Sequence, residues 1–131
     1  MAMKLDMIGI LVEDMARSLA FYRELGLDLA HELDSQPHAE TMLPSGLRLA
    51  WDTQENVASF MPGFQPPIAG SGRVNLAFLV DTPAEVDTLY DKLISLGYTG
   101  LRAPWDAMWG QRYALVQDPD GNGIDLFSPL N

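Results

Sequence analysis

The chain has 131 residues, 47% of them hydrophobic, and a formal net charge of −10, with a pI near 4.3 and a mean hydropathy of −0.01. That size suits one compact domain with a real core, and a field of that sign repels phosphate backbones and anionic membranes, which argues against nucleic acid or a membrane surface as partner. There is no cysteine, so disulfides, thiolate metal sites and thiol nucleophiles are excluded.

No apolar run approaches the ~18–20 residues of a membrane span. The one stretch resembling a leader, at the start of the chain, is interrupted by Asp6, Glu13 and Asp14 and reads as mature structure in a cytoplasmic protein. The first predicted strand is 5–12. Asp14 follows as an N-cap, Ser18, Leu19, Tyr22 and Leu25 repeat at helical spacing, and Gly26 ends the helix as a residue able to take positive φ. Short strands are predicted over 28–33 and 40–43, then a turn at Pro44-Ser45-Gly46 and a strand over 47–52. In that strand Leu47, Leu49 and Trp51 share one face. Residues 53–72 include MPGFQPPIAGSG, lack periodicity and read as a linker or lid.

A strand over 73–80 comes next. Thr82 caps the following helix, Pro83 takes its first position, and Glu85 completes a capping-box pattern. Val86, Leu89, Tyr90 and Leu93 form its apolar stripe, and Gly97 closes it. The last predicted strands, 112–116 and 123–127, are joined by the turn residues Asp118-Pro119-Asp120-Gly121-Asn122. The chain thus repeats one unit: ILVEDMARSLAFYRELGL at 10–27 and FLVDTPAEVDTLYDKLISLGY at 78–98 share strand, acidic turn, Tyr-bearing helix and Leu-Gly exit.

VEDMARSLAFYRELGL at 12–27 and WGQRYALVQDPDGNGIDLF at 109–127 resemble the glyoxalase/bleomycin-resistance/extradiol-dioxygenase family, the vicinal oxygen chelate superfamily. The first segment is a strand-to-helix corner and the second a hairpin, so they mark a fold rather than a reaction. The resemblance implies an α+β fold of two tandem βαβββ modules curving into a mixed-sheet cup, with module one at 1–52, the linker or lid at 53–72 and module two at 73–131. It also implies a homodimer.

In the family's enzymes four inward-facing side chains, typically His and Glu, hold a divalent metal. Carried over by position, these fall on Met7, on Leu49 or Trp51, on Asn75 and on Asp125. Only Asp125 is a good hard-metal ligand, so no metal and no other cofactor is expected. His31 and His38 lie away from the four positions and are read as surface residues.

Alternation then defines the inward face. Asp125 brings Gly123 and Phe127, Asn75 brings Arg73, Ala77 and Leu79, and Met7 brings Leu5, Gly9 and Leu11. Trp51, Trp105, Trp109 and Tyr113, with Phe60 and Phe64 from the lid, supply flat walls for a planar ligand. In relatives that sequester antibiotics Trp side chains commonly grip the drug, and the resemblance attaches that implication most directly to Trp109, inside the matching WG segment. Asp125 is open to three roles: general base, counter-ion for a cationic ligand, or half of an ion pair with Arg48, Arg73 or Arg112.

The expected ligand-binding set is therefore Met7, Leu49, Trp51, Asn75, Ala77, Trp105, Trp109, Tyr113, Asp125 and Phe127. The expected function is a metal-free small-molecule binder sequestering a planar aromatic or antibiotic-like compound. The alternative is a lyase, isomerase or dioxygenase of the same superfamily using Asp125 with an atypical or absent metal site, Asn75 or Tyr113 stabilising an enolate oxygen in the metal-free version.

Overall fold

In the computed structural model, residues 2–68 and 74–131 are described. Chain contacts divide the protein into unit one, residues 1–68, and unit two, residues 69–131. Both are mixed α+β modules.

Unit one begins with β1 (Met7–Val12) and α1 (Met15–Glu24). Asp14 has extended backbone and accepts from the Arg17 amide at 3.1 Å, which caps α1. Met15, Ser18, Leu19, Phe21 and Tyr22 form the buried stripe of that helix. β2 (His38–Met42) and β3 (Arg48–Thr53) follow, and the sheet order is β1-β3-β2, with β1 parallel and β2 antiparallel to β3.

Two expectations in this half are corrected. Residues 28–33 do not form a strand, and a 3-10 helix occupies His31–Ser35 instead. The cause lies on α1: the Arg23 guanidinium takes the carbonyls of Leu29 at 2.7 Å and Ala30 at 3.1 Å and pairs with Asp34 at 2.8 Å. Those carbonyls are thereby withdrawn from any ladder, and Leu33 N to Ala30 O closes a tight turn. Residues 53–60 are not loop either. Thr53 caps α2 (Gln54–Phe60) by accepting from the Asn56 amide at 3.1 Å, and Val57 anchors the helix. Residues 69–72, the end of the predicted lid, and Arg73 lie outside the described residues.

Unit two repeats the plan with β4 (Asn75–Leu79) and α3 (Pro83–Ser95). Thr82 accepts from the Glu85 amide at 3.3 Å, while the Glu85 carboxylate accepts from the Asp81 amide at 3.2 Å, one residue before the cap. At 13 residues α3 exceeds the 10 of α1, and both helices run into a glycine at φ +94°, Gly26 and Gly97. Then come β5 (Gly100–Ala107), β6 (Gln111–Gln117) and β7 (Gly123–Pro129), in the sheet order β4-β7-β6-β5 with only the β4–β7 pair parallel.

The βαβββ plan calls for β5, but the sequence assigns it no residues. The strand contains Pro104 and two register irregularities, between Gly100 and Arg102 and between Arg102 and Trp105, which erase the period-two signal. Val86 and Leu93 of α3 and Ala114, Val116, Ile124 and Leu126 of the sheet are fully buried.

Candidate ligand-binding face

In unit two, β6 and β7 bury alternate residues in the core and turn the others outward. The pairing registers arrange the outward residues in rows across the sheet. One row is Leu79, Phe127, Tyr113 and Trp105, and the next is Ala77, Asp125, Leu115 and Arg102. Asn75 stands beside Gly123, its side-chain amide lying where a Cβ at residue 123 would be, so a larger residue there would displace that amide.

The aromatic row is a continuous cluster. Tyr113 meets Trp105 at 5.7 Å and Trp109 at 5.2 Å edge to face, the two tryptophans lie 6.0 Å apart, and Phe127 stacks on Tyr113 at 5.9 Å. Trp109 reaches the cluster from the β5–β6 turn, where Gly110 takes φ +89° and its amide returns to the Ala107 carbonyl. Its indole N–H donates to Gln111 Oε1 at 3.0 Å, yet the residue stays 57% exposed. At the end of the wall the Arg102 guanidinium carbon sits 3.6 Å over the Trp105 ring.

Asp125 is reached through this cluster. The Tyr113 hydroxyl donates to Asp125 Oδ2 at 2.6 Å. Burial, and then the Asp125 hydrogen bond and charge, push the Tyr113 pKa up to about 12. Tyr113 is therefore a protonated donor at neutral pH, aimed at a carboxylate. Of the arginine partners expected for Asp125, Arg48 and Arg112 are engaged elsewhere, and Arg73 lies outside the described residues. Arg112 pairs with Asp87 and Asp106, each at 3.0 Å, and Arg48 pairs with Asp6 and Glu40.

In unit one, the parity expected for β3 is reversed. Leu49 and Trp51 register with Ile8 and Ile10 on the side of the sheet covered by α1, where the Trp51 ring packs edge-on against Tyr22 at 5.2 Å. Both side chains are buried, so they belong to the core and line no binding face. Met7 registers with Arg48 on the opposite side. That side carries a charged chain that sequence reasoning missed. His38 Nδ1 meets Asp52 Oδ1 at 2.7 Å and His38 Nε2 meets Glu40 Oε2 at 2.8 Å. Arg48 joins Glu40 at 2.9 Å to Asp6 at 2.7 Å, and Asn56 Nδ2 donates to Asp52 at 3.2 Å.

The signal was present. His38 and Glu40 are two apart and share a strand face, and Asp52 is the residue across from His38 in the β2–β3 register. Hydrogen bonds to the Glu40 and Asp52 carboxylates raise the His38 pKa above its ordinary 6.5, while the bonds Glu40 accepts from His38 and Arg48 lower its own. Unit one also has an open cleft of about 670 Å³ lined by Glu13, Asp14, Asp34 and Glu55 over Met15. Within it Asp14 is spent on capping and Asp34 on Arg23.

The divalent metal implied by the resemblance does not suit these donors. Met7 offers only a thioether, Leu49 and Trp51 no lone pair in the right place, Asn75 one neutral carbonyl, and Asp125 an oxygen already accepting from Tyr113. Among the described residues no group of three or more His, Asp or Glu is placed to hold a metal ion. Both nitrogens of His38 are occupied by carboxylates.

Among the described residues no helix is long and apolar enough to cross a membrane. The profile of the Glyoxalase/Bleomycin resistance protein/Dioxygenase superfamily matches residues 4–126. The uncharacterised protein YwbC of Bacillus subtilis is 28% identical over 133 residues, 97% of this chain and 98% of its own. A glyoxalase-related enzyme from Fulvimarina pelagi superposes with a TM-score of 0.80 at 22% identity, over 97% of this chain and 88% of that one. A glyoxalase/bleomycin resistance protein/dioxygenase family enzyme from Burkholderia phytofirmans gives 0.78 at 22% identity, over 98% and 100%. The lactoylglutathione lyase of Agrobacterium tumefaciens gives 0.67 at 19%, over 95% and 92%. At these identities the solved structures bear on the fold alone.

Proposed function

As a member of the glyoxalase/bleomycin resistance/dioxygenase superfamily, this chain is, we propose, a metal-independent small-molecule-binding protein that takes a planar aromatic compound on the open face of unit two. The observation that carries the reading is the wall of Trp105, Trp109, Tyr113 and Phe127, four touching rings on one face, with the Tyr113–Asp125 hydrogen bond beside them. A planar ligand laid on such a wall gains about 0.5–1.5 kcal/mol per ring contact beyond the area it buries. Asn75 and Ala77, in the flanking rows, leave room at the side of Asp125 because one is short and the other small. Met7, which registers with Arg48 in unit one, takes no part in this reading. The working location is the cytoplasm and the working assembly a homodimer, which sedimentation analysis would check directly.

The test is fluorescence. Trp105 and Trp109 stand on the open face and Trp51 is buried under α1, so a planar aromatic should quench saturably in wild type and lose most of that quenching in a Trp105→Phe/Trp109→Phe double variant. A panel of planar aromatics without saturable quenching would overturn the reading.

One observation favours a second reading, an acid–base enzyme of the same superfamily. The 2.6 Å bond pairs a carboxylate with a phenol held in its protonated form. Asp125 would abstract a proton from carbon and Tyr113 would donate to the developing enolate oxygen. Under that reading Asp125→Asn and Tyr113→Phe each abolish turnover, whereas a binder of neutral compounds retains its affinity in Asp125→Asn.

A further inference from the structure

We infer that the aromatic compound taken by this face is an anion, held through a carboxylate by Arg102. The inference deepens the proposed binding function and rests on it.

Arg102 and Trp105 are three residues apart, a spacing that in a regular strand puts them on opposite faces. The irregularity between them removes one residue from the β5–β6 register, so that Arg102 pairs with Leu115 and Trp105 with Tyr113. Both side chains are thereby brought to one side, and the guanidinium lies 3.6 Å over the indole. A guanidinium held over a ring by cation–π attraction can still present N–H groups to a carboxylate, which it grips bidentately.

Those N–H groups have no hydrogen-bond or ion-pair partner among the described residues. By contrast, Arg23, Arg48 and Arg112 are each paired with a carboxylate. In a chain with 18 acidic against 8 basic side chains, an arginine left without a carboxylate and ordered on a tryptophan is a receptor for an anion brought from outside.

The other charge on this face sets the orientation. Asp125 is two strands from Arg102 in the same row, with Leu115 between them, which places it roughly 10 Å away at ~4.8 Å per strand. Its Oδ2 is also capped by the Tyr113 hydroxyl. The ligand carboxylate is thus drawn to the Arg102 end, the ring lies across Trp105, Tyr113 and Trp109, and the far edge of the ligand comes to the Asp125 side. The net charge of −10 works against any anion at long range, so a preference for one has to come from this local contact.

Three probes of equal shape separate the possibilities: 2-naphthoate, neutral 2-naphthamide and (2-naphthylmethyl)ammonium, titrated by calorimetry into the whole chain. Naphthoate should bind about ten-fold more tightly than the amide, and Arg102→Gln should erase that advantage. Arg102→Lys, which keeps the charge but not the fork, should restore part of it. If the amide binds and naphthoate is no better, or the ammonium is best, the anion inference is overturned while the aromatic wall stands. If none of the three binds wild type, the wall reading falls too.

Discussion

The Tyr113 hydroxyl and the Asp125 carboxylate share a 2.6 Å hydrogen bond across neighbouring strands, which sets a carboxylate beside the aromatic wall with no arginine paired to it among the described residues. Its titration should be visible. Burial and Asp125 together push Tyr113 from its ordinary 10.0 up to about 12. A folded-state value above the unfolded one stabilises the native state fully below pH 10, and that contribution disappears as pH rises through about 12. Asp125→Asn removes the charge and weakens the bond, so one tyrosinate transition followed by ultraviolet absorbance should move down toward 10. If it stays where it is in wild type, the burial of Tyr113 alone sets its pKa.

His38 in unit one has the matching behaviour at lower pH. Hydrogen bonds to the Glu40 and Asp52 carboxylates raise its pKa above 6.5, with Coulomb attraction adding to them and burial opposing. The stability this supplies is complete below 6.5 and is lost as pH rises through the raised value. Imidazole shifts in NMR should show His38 titrating above 6.5 and moving down in both Glu40→Gln and Asp52→Asn. The urea midpoint should fall over the same pH window in wild type and stay flatter in His38→Gln.

The helical repeat was legible because its signals are local. Asp14 and Thr82 mark the caps, Gly26 and Gly97 the exits, and the stripes of α1 and α3 follow the 3.6 period. The outward set of β7 was equally readable, since Ile124 and Leu126 alternate cleanly with Asp125 and Phe127. The misses come from contacts that periodicity does not register. Arg23, six and seven residues upstream, takes the carbonyls of Leu29 and Ala30, and a 3-10 helix stands where a strand is expected. In β3 the residues Leu49, Ala50 and Trp51 are buried in succession, so apolarity could not tell which side Trp51 faced. The bulges of β5 hid both the strand and the place of Arg102.

The buried placement of Trp51 makes a prediction that separates core from binding wall. Its indole N–H is buried with no hydrogen-bond partner among the described residues, and the ring is wedged against Tyr22. Trp51→Phe removes an unsatisfied donor and keeps an aromatic contact, so it should cost less than about 1.5 kcal/mol. Trp51→Ala leaves a cavity under α1 and should cost about 3–5 kcal/mol. Naphthamide affinity should be unchanged in Trp51→Phe. A large loss of binding there, with stability intact, would return Trp51 to the ligand site.

Gly100 opens β5 directly beneath α3, and a Cβ at that position would run into the Tyr90 hydroxyl and ring and the Ile94 Cδ1. Tyr90 and Ile94 are side chains of a capped, regular helix, so both would have to give way together or the helix would lift from the strand. Gly100→Ala should therefore destabilise by about 1–3 kcal/mol through overpacking. The backbone of Gly100 is not at positive φ, so the strain comes from the lack of space alone. That distinction can be checked, because trimming the helix side makes room where a backbone penalty would persist. A Tyr90→Ala/Gly100→Ala double variant should then cost less than the sum of its parts in urea titrations, and strict additivity would show that the close approach of helix to strand is not what excludes a side chain.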